Sequence, residues 1–291
     1  MIIWPDCIPC ILNMGLRLAQ QTLHDEERVM SFMKGITTVK LFDGNHGQVT
    51  SADIVQDIWS RLIQLAGDED PLKAIKKEQN RAALQFYPVM KERISKSRDP
   101  IGEAVRFAII GNSLDAMKDA LQKRPEETFH GLSKSKANKA DVEAFKERLK
   151  RARKVLYFGD NCGEIVFDRV LIEAIREVYA PEMILVVRST PTLNDATVAD
   201  ARSVGLDKVL PVIENGVIEP LPGTTLKKVS PRVRKLIKEA DLLIAKGGGN
   251  HDSMTEEEAI KGKTTYLFQA KCRPYSIIYR TPQNGLIVYN G

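Results

Sequence analysis

The apolar residues of this chain change their spacing near residue 153, and no other feature restricts the fold as far. After Arg153, short runs rich in β-branched and aromatic residues recur at Lys154–Phe158, Met183–Arg188, Lys208–Ile213, Asp241–Ala245 and Thr264–Gln269. Helical patterns fill the intervals after the first two runs and before the last two. Strands that alternate with helices predict a parallel sheet covered on both faces. Thr281–Gly291 reads as a final hairpin arm, with Pro282–Gly285 as its turn.

Before residue 153 the period is helical. Apolar residues three and four apart predict helices over Ile11–Gln20, Glu26–Lys40, Ala52–Ala66, Leu72–Ser95 and Ile101–Lys123, and Asp141–Lys150 leads into the second half. Asp70-Pro71 and Asp99-Pro100 each set a capping carboxylate before a proline, Ser51 can cap the helix that follows it, and Pro88 should kink or end its helix. GNSLD (Gly111–Asp115) interrupts a helix, with packing or bending as the plainer reading, and the polar stretch Thr128–Lys139 is the candidate exposed connection. The expectation is an α/β protein: a mainly helical domain over 1–150 and a Rossmann-like three-layer domain with a mainly parallel sheet over 151–291.

Composition narrows the partners. The net charge of +5 is spread through helical segments beside Asp and Glu, as on solvated helix faces, so no nucleic-acid surface is expected; a modest positive field still suits an anionic small molecule. No run of about eighteen apolar residues is present to span a bilayer, and MIIWPDCIPC does not read as a signal peptide. A cytoplasmic protein with no membrane partner is expected. The four cysteines suit a reduced compartment. Cys7 and Cys10 form a CxxC that leads into a helix, where packing is the plainer reading and a redox or metal role the alternative; convergence with Cys162 and Cys272 would favour the latter.

In an open parallel sheet the loops beyond the carboxyl ends of the strands share one edge, where ligands bind. Here that edge collects Asp160, Asn161 and Glu164 after the first strand, and Asn194, Asp195, Thr197 and Asp200 after the second. Lys246, Gly247, Gly248, Gly249, Asn250, His251 and Asp252 follow the fourth, and Lys271 and Arg273 the fifth. Carboxylates with an amide oxygen make a hard site for a divalent cation, while glycine N–H groups at a helix start, with a lysine nearby, suit a phosphate. Asp160-Asn161 and Asn194-Asp195 also read singly as turns or helix caps, the three glycines as a flexible turn that matches neither P-loop nor dinucleotide fingerprint, and His251 as a loop residue. Their joint placement favours phosphoryl chemistry.

GDNCGE, LNDATVADA, KGGGN, AKC, GNSLD and the opening PDCIPC together resemble, over nearly the whole chain, the metal-dependent damage-control phosphatases, long filed as domain of unknown function number eighty-nine. The CxxC opening is similar to the branch found mostly in archaea and some bacteria. The resemblance implies that Asp160, Asn161 and Asp195 hold a divalent cation (Mg, Mn, Co or Ni) and that the substrate is a small phosphorylated metabolite. It places Lys246 or Lys271 near the phosphate, whereas His251 and Asp252 depart from the aromatic and Glu expected after KGGGN. The expected enzyme is a phosphomonoester hydrolase. Asp160, Asp195, Glu164 and Lys271 are its candidate catalytic groups, and Lys246, Gly247, Gly248, Gly249, Asn250, Asn112 and Asn194 its candidate substrate contacts. An S-adenosylmethionine-dependent carboxyl methyltransferase and a non-catalytic metal- or nucleotide-binding module stand as alternatives. Oligomeric state is not written in these motifs.

Overall fold

The computed structural model describes residues 3–39, 50–111 and 137–291. Apolar periodicity in the first half yields α1 (Cys7–Thr22), α2 (Glu26–Ile36), α3 (Ser51–Ala66), α4 (Lys73–Leu84), α5 (Tyr87–Lys96), α6 (Pro100–Ile110) and α7 (Lys139–Arg151). Capping explains several starts. Thr50 and Asp53 form a capping box at α3, so Thr50 takes the role expected of Ser51, whose hydroxyl donates instead to Asp252. Asp99 caps α6 through the N–H of Gly102, with Pro100 in the first turn. Asp70 does not cap: α4 begins beyond Pro71, and the carboxylate pairs with Lys76 at 2.7 Å. The single helix expected over Leu72–Ser95 is two, because Pro88 lacks an N–H and fits only the first turn of a new helix. Gly111 packs against Phe167, where a Cβ would intrude. Asn112, the rest of GNSLD and most of the polar stretch beyond it lie outside the described residues.

The second half builds one six-stranded sheet in the order β3-β2-β1-β4-β5-β6. Its strands are β1 (Lys154–Phe158), β2 (Glu182–Val187), β3 (Val212–Glu214), β4 (Leu242–Lys246), β5 (Thr264–Gln269) and β6 (Leu286–Asn290). The first five run parallel, and β6 pairs antiparallel with β5 as the final arm. β3 starts later than expected: Leu206–Lys208 is a 3-10 turn, and Pro211, which has no N–H for a ladder, precedes the strand. Between the strands lie α8 (Glu164–Tyr179), α9 (Val198–Ser203), α10 (Pro231–Glu239), α11 (Gly247–Met254) and α12 (Arg273–Ile278).

Strict alternation sends Val155, Tyr157, Leu185, Val187 and Ile244 to one core, and Leu156, Phe158, Val186, Leu243 and Ala245 to the other. α5, α6, α7 and α8 cover the first face, and α10, α11 and α12 contribute to the second. The three-layer α/β architecture is therefore the expected one. α1, α2 and α3 gather round a separate cluster that includes Phe32, Ile58 and Trp59. Trp59 is fully buried and donates its indole N–H to the carbonyl of Pro191, in the loop after β2. No described helix is long and apolar enough to cross a membrane.

Strand order fixes the binding edge. β1 lies between β2 and β4, so the chain leaves β1 in one direction and resumes on its other side. The loops after β1 and β4 thus part at a topological switch point and open a crevice.

Candidate active site

Asp160 and Asn161 follow β1 after Gly159, and Asp195 comes from the loop after β2. The two turns are joined by their backbones: Cys162 N–H donates to Asn194 O and Ala196 N–H to Asp160 O, each at 2.8 Å. Asn161 and Asp195 consequently face each other across an isolated antiparallel bridge. Asp195 therefore does not cap a helix. α9 starts two residues later than that reading requires, at a capping box formed by Thr197 and Asp200.

Charge is concentrated here. Arg188, at the end of β2, donates through Nε to Asp195 Oδ2 at 2.6 Å and through Nη2 to Asp160 Oδ1 at 3.2 Å. Its Nη1 reaches Thr224 and Asn250. Asn161 Nδ2 donates to Asp160 Oδ2 at 2.9 Å and to Glu164 Oε2 at 3.2 Å. Burial, then the neighbouring Asp195 and Glu164 carboxylates, push Asp160 well above the usual carboxylate range against Arg188 and Lys271. Burial also raises Asp195, opposed by Arg188 and by the backbone of Gly223.

Lys246 ends β4 and is fully buried. Its Nζ donates to Glu164 Oε1 and Asp168 Oδ1, both at 2.6 Å, and to the carbonyl of Ala108 at 2.8 Å. An ammonium has three N–H donors, so this set leaves none for a phosphate. The lysine expected at the substrate is placed instead beneath Glu164. Burial alone would lower its pKa, but the two carboxylates outweigh that and raise it. Asn250 is similarly committed: its Nδ2 donates to Gly159 O and Lys246 O, and its Oδ1 accepts from Arg188 and Thr224. The three glycines, read singly as a flexible turn, form the first turn of α11. Gly247 adopts φ +74°, and a Cβ there would overlap Asp160 Oδ2. Lys271 is exposed, close enough to Asp160 to favour its ionised form. Asn194 is half-buried and directs its amide to Gln79.

Among the described residues, no three His, Cys, Asp or Glu side chains converge as a ready cation cage. The edge nevertheless suits a cation by its donors. Asp160, Glu164, Asp168 and Asp195 are buried carboxylates, and Arg188 and Lys246 are the buried cations that pair with them. Carboxylate oxygens, with the amide oxygen that Asn161 adds, are the hard donor set that a divalent ion takes.

His251 is helical and buried, not a loop residue. The rings of Tyr266, Phe268, Tyr275 and Tyr279 surround it, Nδ1 meets Asp252 at 3.0 Å and Nε2 meets the Tyr279 hydroxyl. The cysteines divide. Cys272 lies near enough to Cys7 and Cys10 for these thiols to raise its pKa, after burial as the largest cause, whereas Cys162 is buried beside Asp200. Sequence reasoning missed Arg188, Asp168, Gln79 and Asn80. Arg188 carries a readable signal as the single charge ending the apolar run MILVVR; the others lie inside helical patterns without one.

The model of the damage-control phosphatase ARMT1-like domain matches residues 3–285, and the chain belongs to that family. A damage-control phosphatase of Archaeoglobus fulgidus is 31% identical, over 94% of each chain. One of Pyrococcus horikoshii is 29% identical over 97% of this chain and 96% of its own. The crystal structure of a family protein from Pyrococcus horikoshii, filed under the same domain of unknown function, superposes with a TM-score of 0.87 at 28% identity, covering all of both chains.

Proposed function

We propose that this protein hydrolyses small phosphate monoesters at the crevice between β1 and β4, with a divalent cation (Mg, Mn, Co or Ni) held by Asp160, Asn161 and Asp195. The observation that carries the reading is the gathering of the buried carboxylates Asp160, Glu164 and Asp195 at the sheet edge, beside the glycine turn that opens α11. Family membership and the names of the relatives support it. When bound, such a cation polarises a phosphoryl group and lowers the pKa of water.

The chain's own groups have distinct parts. Glu164, fixed by Lys246, orients the attacking water and accepts its proton. The N–H groups of Gly247–Gly249 face the phosphoryl oxygens at a helix N-terminus. Lys271, exposed and mobile on its stem, balances the charge that develops on them. Arg188 keeps Asp160 and Asp195 side by side in the absence of other cations.

Phosphate release from sugar phosphates, nucleotides and an aryl phosphate, with EDTA or with each cation added, tests the proposal. Release should require a cation and fall by at least about a hundredfold in Asp160→Ala, because even partners of metal ligands cost 10–100-fold. No release from any substrate with any cation overturns the reading. Cation or nucleotide binding without turnover would make the protein a binding module.

A further inference from the structure

α4 carries a buried polar face that a helix packed only for stability does not need. Lys76 and Asn80, one turn apart, are 1% and 3% exposed. Asn80 Oδ1 accepts the N–H of Gly163 at 2.6 Å. Gly163, at φ +77°, closes the turn that bears Asp160 and Asn161. The other half of the same amide donates through Nδ2 to Ser203 Oγ at 3.2 Å, at the far end of α9. Next to it, Gln79 Oε1 accepts from Asn194 Nδ2 at 3.4 Å, in the turn that bears Asp195. Lys76 completes the face, paired with Asp70 and 3.9 Å from Asp200, which closes the capping box of α9 with Thr197.

Consecutive residues of one helix thus hold both turns of the candidate cation site. The turns already pair through two backbone hydrogen bonds, but the N–H of Gly163 is not among the groups this pairing satisfies, and a buried N–H without a partner is costly. Asn80 supplies the acceptor and ties the turn after β1 to the helix that follows the turn after β2. We propose that Asn80, assisted by Gln79, is a positioning residue that keeps Asp160 and Asn161 in register with Asp195. The helical half of the chain thereby sets the cation affinity of the sheet edge. This rests on the metal-dependent reading above.

Mn2+ binding measured by calorimetry on wild type, Asn80→Ala, Asn80→Asp and Met90→Ala tests it, together with amide exchange around Gly163 and Asp195. Met90 is a buried residue of α5 outside these contacts and serves as a control for lost stability. Asn80→Ala should weaken Mn2+ binding about 10–100-fold, as loss of an outer partner of a metal site does. Exchange should rise at both turns together. Asn80→Asp keeps the acceptor for Gly163 and should recover most of the affinity, while Met90→Ala should lose stability with affinity unchanged. Wild-type affinity in Asn80→Ala, or faster exchange at Gly163 alone, overturns the inference. A wild type that neither binds Mn2+ nor releases phosphate overturns the metal-dependent reading, and this one with it.

Discussion

Lys246 spends its three ammonium hydrogens on Glu164, Asp168 and a carbonyl of α6, all buried. Removing one partner of such a cluster leaves charge in a poor solvent, so Lys246→Met should cost about 3–5 kcal/mol of stability. Asp168→Asn added to it should restore part of that loss by removing one stranded carboxylate; urea unfolding of both variants checks this, and equal stability of single and double variants contradicts it. At this scale the sequence was partly legible. Asp160, Asn161 and Asp195 stand in the polar loops that follow apolar strands, so the topology brings them to one edge. Lys246 stands there too, yet its side chain turns inward to balance Glu164 and Asp168, and nothing in KGGGN records which way a lysine at a strand end points. Asn80 was hidden for a different reason: α4 reads as an ordinary charged helix, and its partners lie more than eighty residues away.

Among the elements, α6 shows how a local signal and a long-range one combine. Asp99 caps the helix through Gly102 and also pairs with Lys146 of α7 at 2.6 Å. Burial would raise its pKa, but the Lys146 ammonium and the Gly102 N–H together lower it. The unfolded chain then takes up the proton at higher pH than the folded one, so this contribution is present above the ordinary carboxylate range and fades as pH falls through the lowered value. Asp99→Ala should cost about 1 kcal/mol at pH 7 and nearly nothing at the acid end. Thermal unfolding at several pH values checks it; a cost that does not change with pH contradicts it. The cap was readable because Asp-Pro is a local signal, whereas the same dipeptide at residue 70 was diverted to Lys76, a partner the pattern does not name. β3 was misplaced for a similar reason, its apolar run being shared between a 3-10 turn and a strand.

Across the whole molecule, the alternation of strands and helices was enough to give a covered, mainly parallel sheet. It was not enough to say which helices do the covering. One apolar core takes in Met90, Val105, Phe107 and Phe145 of the helical half together with the inner face of the sheet. The division at residue 150 is a proposal about folding units, and residues 151–291 expressed alone test it. Because that core would be cut in two, the fragment should fail to unfold cooperatively in urea; a sharp transition would show that the sheet half stands by itself. The helical half also reaches the binding edge, through Asn80 and Gln79 and through the indole of Trp59 on Pro191. Pro191 lies only a few residues ahead of Asp195, and the chain has one other tryptophan, Trp4. The protein therefore carries its own optical reporter. In a Trp4→Phe background, the ultraviolet emission belongs to a single dry indole whose hydrogen bond ends in the loop that bears Asp195, so its colour follows that loop without any attached dye.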